Sequence, residues 1–134
     1  ADDPAFHVMQ EFGMRYDSSK ASRLNPRWPR RVGSTGIWEV DLPTYKNKDG
    51  PMLLFGKSGT NKWALIHILR KQFEKRYRTN RAPFVFGGHG EFASVLEKFL
   101  IEVCYLPGVR CGTYSEFVNY MECHPELEGK EALH

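Results

Sequence analysis

The feature that most constrains the fold is a continuous apolar run, Ala82–Phe86, which ends in Gly87-Gly88-His89-Gly90. An uninterrupted apolar run of this length predicts a strand that is buried on both faces of a sheet. Apolar residues then recur at helical spacing from Phe92 to Val103, which predicts a helix with one apolar side. A buried strand that leads into such a helix is typical of α/β proteins with mainly parallel sheets.

The elements on either side of this unit alternate in the same way. Helices are predicted from Pro4 to Phe12, over 61–79, and from Thr113 to about Met121. Short strands are predicted at Met14–Tyr16, Ile37–Leu42 and Val109–Cys111, with loops at 20–35 and 44–60. We therefore expect an α/β domain over residues 1–121, followed by an acidic, frayed tail over 122–134.

The length of 134 residues fits one domain, and the net charge of +3 is unevenly spread. Residues 46–81 contain ten basic and two acidic side chains, whereas 82–134 contain three basic and eight acidic ones. The basic helix over 61–79 is interpreted as a solvated face. The alternative is a nucleic-acid surface, but no base-stacking motif supports it, so we expect no nucleic-acid partner. No apolar stretch approaches the ~20 residues of a membrane-spanning helix.

The three cysteines, Cys104, Cys111 and Cys123, contain no Cys-x-x-Cys pair, so a structural zinc site is not expected. A disulfide between 104 and 111, one between 111 and 123, or three buried thiols explain the sequence equally well. An unpaired cysteine could tether a second chain. The first residues, ADDPAF, do not resemble a signal peptide, and we expect a processed or trimmed chain.

Two candidate site residues follow predicted strands, where parallel sheets bind their ligands. His89 is flanked by glycines, and a histidine there can exchange a proton near neutral pH. The alternative is a histidine that only satisfies a loop carbonyl. Asp17, in Tyr-Asp-Ser-Ser, could orient a histidine or bind a sugar hydroxyl. The alternative is an Asx turn that ends the strand.

The three tryptophans are assigned different roles from their positions. Trp28 lies in the loop segment Pro-Arg-Trp-Pro, where it could stack on a sugar or a base, or plug the end of the sheet. Trp38 and Trp63 fall in a predicted strand and helix and are expected in the core. No His-Glu-x-x-His or Gly-x-Ser-x-Gly pattern occurs, so a self-contained metalloprotease or serine hydrolase is not supported.

Taken together, several segments resemble the C-terminal half of polysaccharide deacetylases, in particular the invertebrate chitin deacetylase-like branch. The matching segments are FHVMQEFGMRYDSS (6–19), PRWP (26–29), GIWEVDLP (36–43), FEKRYRTNRAPFVFGGH (73–89), VLEKFL (95–100) and VRCGTYSEFVNYM (109–121). The segment over 73–89 is the most specific, since the family has Asn-Arg/Lys-Ala-Pro followed by a histidine.

The resemblance implies a distorted (β/α) barrel that removes acetyl groups from N-acetylglucosamine polymers such as chitin, outside the cell. By this resemblance His89 occupies the position of the catalytic acid and Asp17 supports it. The substrate-binding residues it implies are Arg27, Trp28, Gly87 and Gly88. The family uses a divalent metal, usually zinc, to polarise the amide carbonyl and a water molecule.

The departures from the family pattern concern the same site. The motifs that hold the metal ligands and the catalytic base do not occur in this chain, so we expect it to be inactive alone and its barrel incomplete. Gly87 replaces an apolar residue of the acetyl pocket. A missing N-terminal half or another chain is expected to cover the open barrel. The alternative is a non-catalytic chitin- or matrix-binding protein derived from this fold.

Overall fold

The structure, a computed structural model, describes residues 4–18, 26–47, 50–53, 55–56, 61–88 and 90–130. Within these ranges the helices are α1 (Pro4–Glu11), α2 (Lys62–Arg78), α3 (Ala93–Val103) and α4 (Tyr114–Cys123). The strands are β1 (Tyr16–Asp17), β2 (Arg30–Arg31), β3 (Trp38–Glu39), β4 (Thr44–Asn47), β5 (Gly50–Leu53), β6 (Phe55–Gly56) and β7 (Gly87–Gly88). Short 3-10 helices span Gly90–Phe92 and Pro125–Leu127. This mixture confirms the α/β class.

Two of the helices begin at side chains that cap them. At α2, the Asn61 side chain accepts hydrogen bonds from the backbone amides of Trp63 and Ala64, at 2.9 and 3.3 Å. At α4, Thr113 and Glu116 form the capping box that their spacing predicts. These bonds satisfy amides that the first turn of a helix leaves without a partner. The predictions of both helices are confirmed.

The strands pair in a mixed pattern. In the main sheet the order is β1-β3-β2, with β1 parallel and β2 antiparallel to β3. β6 and β7 form a parallel pair, and β4 and β5 form an antiparallel one. Parallel and antiparallel pairs are therefore equally common in the described part of the chain, and the expectation of mainly parallel pairing is not met.

The apolar run Ala82–Phe86 does not form the predicted strand. The two residues that follow it, Gly87 and Gly88, form β7 and pair with β6. Pro83 has no amide hydrogen to donate to a ladder. Phe84 and Phe86 instead pack edge-on against Phe99, with ring centroids 5.8 and 5.3 Å apart. The run is half-buried along most of its length because it covers one side of the helices.

Two further predictions are wrong for local reasons. The loop expected over 44–60 contains the β4–β5 pair, and the threonine and tyrosine that begin β4 favour extended backbone. The strand expected at Val109–Cys111 does not form, and these residues follow a turn that ends at Val109. The Val109 amide donates to the Leu106 carbonyl at 3.1 Å, and Cys111 is bonded to Cys104.

The core consists of two apolar clusters. The first, between α2 and α3, contains Leu65, Leu69, Phe92, Phe99 and Val103. The second, which packs against α4, contains Trp28, Trp38, Ala82, Val118 and Met121. Helix α1 contributes no buried residue to either cluster. None of its apolar side chains is fully buried: Phe6 and Met9 are half-buried, and Val8 is exposed.

The segment after α4 folds back onto the loop that precedes β2. The Trp28 amide donates to the Lys130 carbonyl at 2.8 Å, and the Gly129 amide donates to the Pro29 carbonyl at 3.0 Å. The prediction of a frayed tail from Glu122 is therefore wrong for the part that is described. An acidic composition alone did not reveal that backbone groups there have partners.

The cysteines resolve into one disulfide and one thiol. Cys104 and Cys111 are bonded, so the first of the two proposed disulfides is confirmed, and Cys123 is an exposed free cysteine. A disulfide is compatible with an oxidising compartment. Among the residues described, no helix combines the length and the apolar character needed to cross a lipid bilayer.

Candidate functional site

The candidate site lies where the parallel strands β1 and β3 end. Asp17 is opposite Glu39 in the register, and each residue is the last of its strand. Paired residues of a sheet direct their side chains to the same face, so the register places two carboxylates together. Glu39 is only 4% exposed and accepts a hydrogen bond from Arg30 Nε of β2 at 3.2 Å. The arginine compensates part of the buried charge.

Two hydroxyl groups extend this strand end. Ser18 Oγ donates to the Val40 carbonyl at 2.8 Å and lies 3.1 Å from the Tyr114 hydroxyl. Because a serine hydroxyl has one hydrogen, the Tyr114 hydroxyl donates to Ser18 while Tyr114 is neutral, and Ser18 has to turn from the Val40 carbonyl to donate to the phenolate once Tyr114 has ionised. The Tyr114 ring also stacks on Tyr16, with centroids 4.7 Å apart. Burial raises the pKa of Tyr114, although the hydrogen bond with Ser18 opposes that rise.

Arg27 and Trp28, which were predicted to bind substrate, are occupied by internal contacts. Arg27 forms a two-pronged ion pair with Asp41, at 2.6 and 3.2 Å, with both side chains nearly buried. Trp28 is 8% exposed, and its indole nitrogen donates to the Asn80 carbonyl at 2.8 Å. Its ring packs on Phe117 at 6.4 Å. Trp28 is therefore part of the second core cluster, and its role in stacking on a sugar or a base stays a prediction.

The two predicted glycines form β7, which runs parallel to β6, with Gly87 opposite Phe55 and Gly88 opposite Gly56. Gly88 therefore ends a parallel strand, and the role of both glycines in binding a substrate stays a prediction. His89 follows them in sequence but lies outside the described residues, so its catalytic role stays a prediction. Asp17 and the glycines thus lie at the ends of two different parallel pairs.

For several residues the sequence pattern predicted the wrong burial or gave no indication of their contacts. Trp63 was expected in the core but is 74% exposed. Arg76 was expected among the solvated cations of α2 but is buried. Its position seven residues after Leu69, on the same side of the helix, could have revealed this. The contact between Ser18 and Tyr114 joins residues that are far apart in sequence, and no local pattern predicts it.

A metal site would need a group of at least three histidine, cysteine or acidic side chains. The part of the chain that the structure describes contains no such group. Comparison of the chain with known protein families, characterised proteins and solved structures finds no match. The function is therefore inferred from the residues and their arrangement.

Proposed function

We propose that the chain is the C-terminal part of a polysaccharide deacetylase-like domain, which hydrolyses N-acetyl groups on N-acetylglucosamine polymers such as chitin. The observation that supports this most directly is the parallel pairing of β1 with β3. These strands contain Tyr-Asp and Trp-Glu, which belong to two separate segments of the resemblance. Neighbouring parallel strands are what a (β/α) barrel is built from.

In this proposal His89 protonates the leaving amine, and Asp17 is the residue that supports it. The chain alone is inactive because the base and the metal ligands are supplied by another polypeptide segment. The family would use zinc or another divalent metal to polarise the amide carbonyl and a water molecule. The described residues contain no suitable group of ligands, so no step through the metal is assigned to them.

The exposed apolar side chains of the N-terminal segment support the need for a covering partner. Val8, Phe12 and Met14 are 50%, 78% and 54% exposed, and α1 contributes nothing to the core. Apolar surface of this kind marks sites of protein interaction. We assign it to the missing half of the barrel or to another chain. The disulfide supports a secreted location, where such a polymer would be met.

The experiment measures acetate release from N-acetylglucosamine oligomers by the natural material that contains this chain, with zinc added. His89→Ala should lower the rate by about a hundredfold or more, the usual contribution of a general acid. His67→Ala is the matched control, since His67 is an exposed histidine of α2. Equal rates for both variants would refute the assignment of His89. The mass of the same material before and after reduction shows whether a second chain is attached through Cys123.

A non-catalytic glycan-binding protein is the second candidate. The observation that favours it is the exposed indole of Trp63, because tryptophan combines a large apolar ring with a polar edge. In this case the natural material releases no acetate with any divalent metal. It still binds N-acetylglucosamine oligomers, and His89→Ala binds them as tightly as the unmodified protein does.

A further inference from the structure

A groove that is separate from the β1–β3 site lies between the first turns of α2 and α3. Its volume is about 260 Å³, slightly below the ~300–1,000 Å³ of pockets that hold drug-sized ligands. This size suits one ring unit of a longer ligand. The groove is lined by Lys62, Trp63 and Ile66 of α2 and by Ser94, Val95 and Lys98 of α3.

The main ligand-facing feature of this groove is the Trp63 ring. It is 74% exposed even though Lys98 Nζ lies 5.3 Å from its centroid. Ile66 is buried beneath the groove, and Val95 is half-buried. An exposed indole above an apolar floor offers a flat surface on which the apolar face of a sugar ring can stack, while the hydroxyl of Ser94 offers a hydrogen bond.

The charge of the groove is positive and local. Among the described residues its lining contains two lysines and no acidic residue, and Glu102, one turn further along α3, interacts electrostatically with Lys98. Elsewhere on α2, Arg70 is paired with Glu102 and Arg78 with Glu74. The paired arginines interrupt the cationic stripe that a nucleic-acid backbone would follow. The positive charge next to Trp63 therefore suits one anionic group beside a stacked ring, even though Glu102 offsets part of the charge of Lys98.

The topology relates this groove to the proposed substrate. Helices α2 and α3 follow the parallel strands β6 and β7 in sequence. The first turn of a helix that follows a parallel strand lies on the side of the sheet where ligands bind. A polymer that reaches the end of β7 at Gly88 can therefore extend toward the groove.

We infer that the Trp63 groove binds a sugar ring that bears a carboxylate or sulfate. The substrate class is then an acidic N-acetylated polysaccharide, in which anionic units accompany N-acetylglucosamine, rather than neutral chitin. The N-acetyl part of this inference rests on the proposed function. The anionic part rests on Lys62 and Lys98 alone.

The test measures binding to the full chain by Trp fluorescence and calorimetry. The probes are a chitin hexamer and an equally long oligosaccharide that alternates glucuronate with N-acetylglucosamine. Two partly exposed charge contacts predict about three- to tenfold tighter binding of the acidic probe, with a preference that fades as salt is raised. Trp63→Ala should weaken binding of both probes about tenfold or more, by analogy with aromatic stacking on bases.

The variant with Lys62→Gln and Lys98→Gln should lose the preference for the acidic probe while it keeps its affinity for the chitin hexamer. Lys71→Gln is the matched control, because Lys71 is an exposed lysine of α2 outside the groove. Unchanged binding by Trp63→Ala, or a preference that survives the double substitution, would overturn the inference. Tighter binding of a single-stranded oligonucleotide than of either glycan would also overturn it, in favour of a nucleic-acid surface.

Further outcomes separate this inference from the proposed function. If polygalacturonate, which is acidic but has no N-acetyl groups, binds at Trp63 as tightly as the alternating probe, the anionic groove stands and the deacetylase proposal loses support. If the chitin hexamer binds as tightly as the alternating probe, the anionic groove is refuted, whereas acetate release and its dependence on His89 are unaffected.

Discussion

The buried guanidinium of Arg76 allows a sharp test of the energetics of this fold. Arg76 is only 6% exposed, and among the described residues its Nε has no hydrogen-bond partner. Nη1 donates to the Gln72 carbonyl at 3.1 Å, and the guanidinium lies 4.9 Å from the centre of the Phe84 ring. A buried charge without an acidic partner is costly, so replacement by an apolar residue of similar length should be tolerated or stabilising.

The size of the effect follows from the pKa. Burial lowers the pKa of Arg76 to about 10, which corresponds to a penalty of about 3 kcal/mol for the charged form. The contact with Phe84 returns about 1 kcal/mol, and the hydrogen bond to Gln72 about 1 kcal/mol more. Arg76→Met removes the penalty and both contacts while it keeps much of the packing. We therefore expect the free energy of unfolding to rise by about 1 kcal/mol.

The assay is urea unfolding of the full chain, followed by helical circular dichroism with the disulfide intact. The gain of Arg76→Met should be constant between pH 5 and 9, because the arginine is charged in both states below a folded pKa of about 10. Above that pH the folded protein loses the proton first, so the penalty and the advantage of methionine both diminish. The control is Arg78→Met, an exposed arginine on α2, which should change stability by less than about 0.5 kcal/mol. A loss of more than about 1 kcal/mol in Arg76→Met would refute the reasoning.

Three further predictions concern other contacts. Replacing Cys104 and Cys111 with serine should lower the free energy of unfolding by about 2–3 kcal/mol, because the disulfide closes a short loop with a sequence separation of 7; thermal unfolding with and without reductant checks this. Thr113→Ala should cost about 1 kcal/mol through loss of the α4 cap, measured by urea unfolding. Ser18→Ala should raise the pKa of Tyr114 further, since the hydrogen bond with Ser18 lowers it. A phenolate absorbance titration that shows a lower pKa would contradict this, and stability should fall as pH rises through that pKa.

The helices were predictable because their signals are local. In the capping box of α4, the Thr113 side chain accepts from the Glu116 amide and the Glu116 side chain accepts from the Thr113 amide, all within four residues. The apolar stripe of α3 is visible from the helical period alone. The amphipathic patterns of α2 and α3 also predict the cluster that packs between them. Such signals depend little on the rest of the chain.

The strands were less predictable because a strand is formed only when its backbone pairs with that of another segment. The run Ala82–Phe86 has the composition of a buried strand, yet its phenylalanines pack on Phe99 instead. Residues 44–47 have no strong alternation, yet they pair with 50–53. Partner choice depends on contacts that are distant in sequence, which residue patterns do not encode locally.

The candidate site was predictable only in part for the same reason. Asp17 does end a parallel strand, as expected from its place after a short apolar segment. The burial of Trp28 depends on α4, and the contact of Tyr114 with Ser18 depends on the return of the chain to β1. A loop tryptophan looks the same in sequence whether a helix covers it or a ligand does.

The Asn-Arg-Ala-Pro segment, the most specific part of the resemblance, has a structural role that does not depend on catalysis. The Asn80 side chain donates to the carbonyls of Pro26 and Lys130, at 2.9 and 3.2 Å, and the backbone carbonyl of Asn80 accepts from the Trp28 indole. Arg81 adopts a left-handed backbone with φ of 60° and lies 3.9 Å from the centre of the Tyr77 ring.

These contacts join the loop that precedes β2, the C-terminal segment and the end of α2 at one point. A binding protein of this fold would need that junction as much as an enzyme would, since its loss would separate the second core cluster from α2. The segment therefore supports the fold resemblance under both hypotheses. A general acid, in contrast, has no role in binding alone, so the rate effect of His89→Ala is the measurement that distinguishes the deacetylase from the glycan-binding protein.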